Sequence, residues 1–457
     1  MNSLTYGPND AECKAIARAI SSAGGVAYLV GGTVRDLLLG IPPKDYDLEV
    51  YGLSAADLLE AVAPLGNADL VGESFGVVKL DNFDLSLPRS ESKTGRGHRD
   101  FLVNSDPYMM PQEACARRDY TINAMMLDPT SGGIMDFYGG QGDLHRQVLR
   151  HTSDHFVEDP LRVLRGMQFC GRFNLTTDDA TAHLCRSITT EYGSIATERV
   201  WGEWQKWALS RTPSAGLRFL EQTWLPCYPE LAALLGCPQD TEWHPEGDAW
   251  EHTVQAVDVA AHIAEREHVE GEDRIALVLA ALVHDIGKPD TTLVHEDRHI
   301  RSREHAVVGC EVGRQFLLSI GCWLRVIERI MPLVRDHMFF YPERKITASS
   351  VRRLAYRLYP ATIQELLWML EIDQSSRAPK NAEMPDTAWR VMELARQCNV
   401  GRSKPVGLLM GRHLIELGLE PSTRFGSILH DAYEAQLDGA FNTTEEGIEW
   451  ARQYLTK

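Results

Sequence analysis

The sequence predicts a multidomain α+β protein: a mixed α/β unit at the N-terminal end, followed by a chain that is helical almost throughout. Two patterns and the length carry this prediction. Over residues 11–140 helical and strand-like patterns alternate, with apolar runs at Val26 to Val30, Asp47 to Val50 and Val77 to Leu80. From about Asp154 onward apolar residues recur at helical spacing, as in LRVLRGMQFCGRF and DRIALVLAALVHDIGK. At 457 residues the chain is too long for one ordinary core, since domains commonly take about 150 residues.

Composition excludes several classes. Hydrophobic residues make up 44% and charged residues 24%, which rules out a disordered, collagen-like or disulfide-dense miniature chain. No uninterrupted apolar window approaches the length of a membrane span, and MNSLTYGPNDAECK has neither a basic nor a hydrophobic leader region. A cytoplasmic protein with no membrane partner is expected. The nine cysteines are scattered, odd in number and never spaced as CxxC, so neither a disulfide framework nor a thiolate zinc site is indicated. Against 64 Asp and Glu stand 46 Lys and Arg, a net charge of −18. Such a chain repels polyanions at long range, and a nucleic-acid partner requires a local basic surface. The helical part is punctuated at Pro226 to Pro245 and again at Ser375 to Pro385.

The first chemistry lies in YLVGGTVRDLLLG, where an apolar strand passes through Gly31 and Gly32 into a helix that begins near Thr33. Paired glycines at such a turn let backbone N–H groups approach a phosphate at a helix N-terminus, although plain turn geometry is the commoner use. In KDYDLEV, Asp45 and Asp47 alternate with Tyr46 and Leu48 on a predicted strand, so both carboxylates leave one face. Adjacent anions are either solvated edge charges or ligands of a shared divalent cation, and Mg²⁺ takes a few carboxylates plus water and phosphate oxygens. NFDLSLPR adds Asp84, between apolar neighbours, as a third carboxylate. The set suits two-metal phosphoryl transfer.

GGTVRD, KDYDLEVYG, ARRDYTINAM and FVEDPLRVLRGMQFCGRF occur in this order. Over roughly residues 25–210 the chain thereby resembles the nucleotidyltransferase head and neck of the class II tRNA nucleotidyltransferases, the CCA-adding enzymes, and of related bacterial poly(A) polymerases. The resemblance makes Asp45, Asp47 and Asp84 the catalytic carboxylates, with Mg²⁺ on Asp45 and Asp47. Gly31, Gly32 and Arg35, with Asp36, fall at the nucleotide phosphates, and Arg118, Asp119 and Asn123 at the ribose and phosphates. Glu158, Asp159 and Arg162 occupy an EDxxR motif whose Asp and Arg pair with the incoming base, with Arg165 also in the nucleotide site.

The residue chemistry agrees with these assignments and leaves alternatives open. Asp159 and Arg162, three apart, share one face if helical, the Asp accepting from an exocyclic amine and the Arg donating to ring or carbonyl acceptors. A surface ion pair is the ordinary use of that spacing. Asp119 before TINAMM also reads as a helix start. PRSESKTGRGHRDFLVNSDPYM, carrying Arg89, Lys93, Arg96 and Arg99, reads as a mobile loop; in the family a loop at this place helps the switch from C to A addition. Arg146, Arg150, Arg165 and Arg172 offer a local positive track for tRNA, and ERVWGEWQKW, similar to the last neck motif, adds Arg199 and Lys206 as RNA contacts.

The second chemistry is a scatter of histidines and aspartates in the helical part. HPEGDAWEHT holds His252, VHDIGKP holds His284 and Asp285, REHAVVG holds His305, VRDHM holds His337 and EIDQSSR holds Asp373. Neutral imidazoles with carboxylates can hold a divalent transition metal and generate a hydroxide nucleophile. The pattern resembles the HD phosphohydrolase superfamily, which implies His252, His284, Asp285 and Asp373 as metal ligands. Lys288, His305 and His337 become phosphate contacts, the two histidines alternatively further ligands. GRHLIELGLEP and AYEAQLDGAFNTTEEGIEWA resemble the tail of HD-containing members, which more often have Asp where this chain has His413.

The expected organisation is a nucleotidyltransferase head over residues 1–150, a helical neck over 151–235, an HD domain over 236–380 and a helical tail over 381–457. The resemblance implies template-independent addition of CMP and AMP from CTP and ATP to tRNA, with Mg²⁺ in the head. It also implies a second phosphodiesterase or phosphatase site using a divalent transition metal. Poly(A) polymerase, A-only or CC-only addition, an HD hydrolase with a vestigial head, and an inactive RNA-binding scaffold are the alternatives. Arg325, Arg329, Arg335, Arg352 and Arg353 suggest a further basic face.

Overall fold

The computed structural model describes residues 10–71, 77–93, 101–296, 299–341, 345–379 and 383–456. It divides into two compact units, Met1–Cys227 and Tyr228–Lys457.

The first unit opens with α1 (Asp10–Ser22), β1 (Val26–Val30), α2 (Gly32–Leu38), β2 (Tyr46–Tyr51) and α3 (Ala55–Val62). Ser54 starts α3 by accepting from the Asp57 N–H while the Asp57 side chain accepts in return. Then come β3 (Ala68–Val71), β4 (Val77–Leu80), β5 (Phe83–Ser86), β6 (Arg89–Lys93), β7 (Phe101–Ser105), α4 (Pro111–Ala116), β8 (Met125–Leu127) and β9 (Ile134–Asp136). A seven-stranded sheet runs in the order β3-β4-β5-β2-β1-β8-β9. It is mixed, as the sequence predicts: β2 and β5 run parallel, whereas β1 pairs antiparallel with both β2 and β8. Leu29, Leu48, Val50, Leu85 and Met126 are buried in its core.

The passage expected as a loop is in part sheet. β6 and β7 pair antiparallel, Arg89 opposite Ser105 and Lys93 opposite Phe101. Arg96 and Arg99 lie outside the described residues.

α5 (Gly140–His145), β10 (Val148–Leu149), α6 (Leu161–Phe173), β11 (Thr176–Thr177), α7 (Asp179–Ser187), α8 (Thr197–Ala208) and α9 (Pro213–Gln222) complete this unit. α6 packs on α8 and α9. Its partners bury Trp204, Trp207 and Phe219, and the Trp207 indole donates to the Pro213 carbonyl at 2.9 Å. That bond satisfies the one polar atom of a large buried ring.

The second unit contains α10 (Pro229–Ala232), α11 (Ala249–Arg266), α12 (Gly271–Val283), α13 (Lys288–Thr291), β12 (Thr292–Val294), β13 (Ile300–Ser302), α14 (His305–Ser319) and α15 (Leu324–Asp336). α16 (Ala348–Leu358), α17 (Ile363–Ser375), α18 (Asp386–Gln397), α19 (Gly411–Glu416), α20 (Arg424–Asp438) and α21 (Thr444–Leu455) follow. α12 is buried without interruption from Ile275 to Val283 and is packed by α11, α15 and α17. A helix apolar all round is a central one. The hairpin of β12 and β13 is a short exception in a region read as helical almost throughout; Thr292 and Ser302 pair across it through their hydroxyls at 2.7 Å. Among the described residues no helix is long and apolar enough to cross a membrane.

Three further expectations meet the structure here. All nine cysteines are free thiols, and burial pushes Cys13 and Cys115 up to about 12. The expected basic face is neutralised in place: Arg325 pairs with Glu272, Arg329 with Asp273 and Glu365, Arg335 with Asp336, and Arg353 with Glu434 and Asp438. Arg352 donates to the Leu437 carbonyl. His413 is buried and its Nδ1 accepts from the Met410 N–H at 3.1 Å, a service at the start of α19 that an Asp could also perform.

Candidate active sites

Gly31 turns the chain from β1 into α2 with φ 66° and ψ −133°, a conformation that favours glycine. A Cβ at this position would come within 2.8 Å of Arg118 Nη1, so the bare turn admits the guanidinium. Arg118 donates to Glu49 Oε2 at 2.9 Å. Burial works against its charge, but Glu49, Cys115 and Tyr51 outweigh it and hold its pKa above the ordinary value. Glu49 is buried on β2 and was missed by sequence reasoning, although it continues the alternation of Asp45 and Asp47 by one more step.

β2 starts at Tyr46, so Asp45 precedes the strand on which it was expected and Asp47 lies on it. Thr33 ties the two: its hydroxyl accepts from the Asp47 N–H at 3.1 Å and donates to the Asp45 carbonyl at 3.4 Å. Asp47 stands opposite Asp84 in the parallel register of β2 and β5. Like charges abreast on one sheet face repel. Lys79, 3.2 Å from Asp84, is the salt-bridge partner of this pair among the described residues. Asp47 is open to the cleft, yet its surroundings desolvate it and raise its carboxyl, with Arg118 opposing and Asp84 and Asp45 reinforcing the rise. A divalent cation relieves such a pair, so the donor set fits Mg²⁺. The fit is loose in one respect: among the described residues no three head carboxylates bring their oxygens within 4.8 Å of one another.

Asp47, Asp84, Gly31 and Arg118 line one side of a cleft of about 750 Å³, and α6 with its approach supplies much of the other. Asp119 is buried and saturated. It accepts from the Tyr120 N–H at 2.8 Å, the Asn123 amide at 3.0 Å and Arg165 at 2.7 Å. Burial opposes its charge, and Arg165 and Asn123 overcome that and lower its pKa. Asn123 in turn accepts from Arg35 at 2.6 Å, while Arg35 also donates to Asp36 and lies over the Phe173 ring at 4.4 Å. Arg35 is therefore engaged by protein partners. The helix start expected after Asp119 is a single 3-10 turn, Thr121–Asn123, leading into β8.

Asp159 and Arg162 both line the cleft but do not share a helix. α6 begins at Leu161, Pro160 caps it, and Asp159 is extended with φ −125° and ψ 103°, since a residue before proline avoids the helical region. Asp159 accepts from Arg199 at 2.8 Å, so that arginine is a partner of the motif. Arg162 donates to the carbonyls of His155 and Arg117, each at 2.7 Å. Of the expected basic track, Arg146 and Arg150 are paired with Asp143 and Asp178, and Lys206 with Glu203. Arg172 lines the cleft over the Phe173 ring.

In the second unit His252, His284, Asp285, His305, His337 and Asp373 are buried and converge from five parts of the chain. Among these six residues two groups of potential ligand atoms form, His252, His284 and Asp373, and Asp285, His305 and His337, while a further group joins His252 to His244 and Glu246. His252 Nε2 lies 3.3 Å from His284 Nε2 and 3.3 Å from Asp373 Oδ1. His305 Nε2 lies 3.0 Å from His337 Nε2 and 3.3 Å from Asp285 Oδ1. The two histidines expected at the substrate phosphate, or alternatively as further ligands, thus stand beside Asp285 with their Nε2 atoms where ligands could be.

Backbone carbonyls set the tautomers. Nδ1 of His284, His305 and His337 meets the carbonyls of Ala281, Ser302 and Val334 at 2.8, 2.6 and 2.6 Å. A carbonyl accepts only, so each Nδ1 carries a proton, and in the neutral ring Nε2 is the nitrogen left to face a metal. Nitrogen lone pairs at these separations repel unless a cation lies among them, which is the test that fits a divalent metal here. Burial, with His305 and His284, lowers His337 to about 3 and keeps it neutral. Burial opposes the charge on Asp285, but His284 and Lys288 hold it well below the usual carboxylate range. Lys288 lies 2.6 Å from Asp285 Oδ2, and Asp373 is also met by Tyr341 at 2.6 Å and by Arg377. A cavity of about 490 Å³ opens on Asp285, Lys288, His305, His337 and Asp373.

Comparison with known proteins finds matches in both units. The Poly A polymerase head domain family matches residues 27–150 and the HD domain family residues 249–377. The multifunctional CCA protein of Stenotrophomonas maltophilia (strain K279a) is 40% identical over 289 residues, 61% of this chain and 68% of its own length. The fold is similar to that of the Bacillus stearothermophilus CCA-adding enzyme in complex with CTP, with TM-score 0.61, 18% identity and coverage of 98% of each chain. It is also similar to the Thermotoga maritima CCA-adding enzyme complexed with tRNA, with TM-score 0.59, 19% identity and coverage of 97% of this chain and 95% of that one.

Proposed function

Because this chain belongs to the multifunctional CCA protein family, we propose that it adds CMP and AMP to the 3′ end of tRNA without a nucleic-acid template and carries a second, hydrolytic site. The observation that carries the reading is the parallel register that sets Asp47 abreast of Asp84 in a cleft lined by Gly31, Arg118, Asp159 and Arg162. The domain division is head 1–150, neck 151–235, HD domain 236–380 and tail 381–457, with tRNA, CTP and ATP as substrates and the cytoplasm as the place of action.

Asp45 and Asp47 would hold Mg²⁺, with Asp84 as the third carboxylate beside them, and the ion would supply activation of the attacking 3′ hydroxyl and charge neutralisation of the departing pyrophosphate. Gly31 and Gly32 give the triphosphate an approach to bare backbone, with Arg118 held over the turn by Glu49. Asp119 orients Asn123 and Arg165 toward the nucleotide. Asp159 selects the base. C and A each present an exocyclic amine that a carboxylate accepts from, whereas U presents a carbonyl that it repels. Arg199 is the partner that Asp159 exchanges for the base amine.

In the HD cavity the two ligand groups would hold a divalent transition metal, which would supply a hydroxide nucleophile toward a phosphoester such as a 2′,3′-cyclic phosphate. Lys288 and Arg377 neutralise the carboxylates around it.

The test is incorporation of labelled CTP and ATP, separately and together, into tRNAs ending before CCA, after C and after CC. Addition of CC and then one A is expected. ATP use on the CC-ended tRNA alone would make this an A-adding specialist, and repeated AMP addition to arbitrary RNA a poly(A) polymerase. No incorporation would make the HD hydrolase the main activity.

A further inference from the structure

Glu246 lies three residues before α11, in the segment HPEGDAWEHT, and belongs to neither of the two groups formed by the six residues above. Its side chain is fully buried, at 0% exposure. Oε1 accepts from Nδ1 of His252 at 2.7 Å and from Nδ1 of His244 at 2.8 Å, while Oε2 is buried with no hydrogen-bond partner among the described residues. Asp248 pins the turn that carries it, capping α11 through the Glu251 N–H at 2.8 Å and accepting from the Gly236 N–H at 2.6 Å.

We propose that Glu246 is a positioning residue for the metal of the His252 group: it fixes the His252 tautomer, points Nε2 at the ion, and joins that ligand to His244 on the cavity wall. The other three histidines have backbone carbonyls on Nδ1, and His252 alone among them has a carboxylate. Glu246 is closer to the ring than Asp373, 2.7 Å from Nδ1 against 3.3 Å from Nε2, so the proton of a neutral His252 sits on Nδ1 and Nε2 is left to face an ion placed with His284 Nε2 and Asp373 Oδ1. An anion behind an imidazole also makes the opposite nitrogen a stronger donor. His244 meets the His252 ring edge-on with centroids 4.9 Å apart and lines the cavity, so one carboxylate sets the orientation of a ligand and of a wall residue together.

The inference rests on the metal reading of the HD cavity, and the experiment separates the two. Co²⁺ is titrated into metal-stripped full-length protein and followed by visible absorption and calorimetry, for wild type, Glu246→Gln and Glu246→Ala. Besides Co²⁺ held by the head carboxylates, which a parallel titration with Asp47→Ala added to every variant removes, wild type is expected to take two ions in the HD cavity, one per ligand group. Glu246→Ala weakens one of the two by 10–100-fold and alters its d–d bands, and Glu246→Gln, which keeps an accepting oxygen but no charge, recovers part of the loss. CMP incorporation by the head, unchanged in all three with Asp47 intact, shows that the chain is folded. Wild-type affinity and spectrum in Glu246→Ala would overturn the role of Glu246 while leaving the metal reading in place. A wild-type protein that takes up no Co²⁺ in the HD cavity would overturn both.

Discussion

Asp119 shows what a single buried charge does in this protein. Its carboxylate is shared by a backbone N–H, an amide and a guanidinium, and its pKa is lowered by Arg165 and Asn123 against the cost of burial. A folded value below the unfolded one stabilises the protein at neutral pH, and that contribution fades as pH falls from the ordinary Asp value of 3.8 through the folded value. Asp119→Asn is expected to cost roughly 2–3 kcal/mol at neutral pH, less than for a fully buried pair because Arg165 keeps some exposure. Its denaturation midpoint should also vary less than that of wild type as pH falls through and below the ordinary Asp value of 3.8; an equal pH slope would refute this. Asp159 acts on selectivity. Asp159→Ala should lower discrimination of CTP and ATP against UTP by roughly 10–100-fold, the worth of one good base contact, and competition assays with labelled UTP read it directly. Both aspartates were legible in the sequence because each sits in a motif with a fixed neighbour. Glu49 and Glu246 were not, since a lone glutamate carries no pattern until its partner, Arg118 or His252, arrives from a distant element.

Elements are where local reading met its competitors. Val26 to Val30 and Val77 to Leu80 match strands β1 and β4 end to end, because short runs rich in β-branched residues and bounded by Gly or by Asp-Asn favour strand over helix. The Asp159 helix failed to form because Pro160 bars the helical conformation before it. TINAMM became a 3-10 turn and a strand because Met125 to Leu127 pair with β1 and β9, a tertiary contact that outweighs helix propensity. At Gly287 the element argument yields a prediction. A Cβ there would stand 2.3 Å from the His305 carbonyl and 2.5 Å from the Gly309 N–H, so the start of α14 can reach its place only against a bare glycine. Gly287→Ala should destabilise the protein by about 1–3 kcal/mol and loosen metal from the group containing His305. Metal content after dialysis checks this, and full retention would show that α14 accommodates the methyl.

For the whole molecule the two sites lie in separate compact units, one cleft lined entirely from the first and one cavity entirely from the second. Asp47→Ala should therefore reduce nucleotide incorporation by about a thousandfold or more, the scale of several kcal/mol of lost charge stabilisation, while hydrolysis of a 2′,3′-cyclic nucleotide persists. Asp285→Ala should do the reverse, and loss of both activities in either variant would tie the sites together. The sequence by itself determined the fold class and strands β1 and β4, with most of β2, and it singled out Asp47, Asp84 and the HD histidines and aspartates as candidates, because each is a local pattern of period or motif. Only the tertiary structure decided which of these groups meet. It placed Asp47 beside Asp84 through the parallel pairing of β2 and β5, paired Asp159 with Arg199, and sorted six HD ligands into two groups. It also neutralised Arg325, Arg329, Arg335 and Arg353 with acidic partners. Charge and coordination act over a few ångströms of space, and those distances are set by packing between residues far apart in the chain.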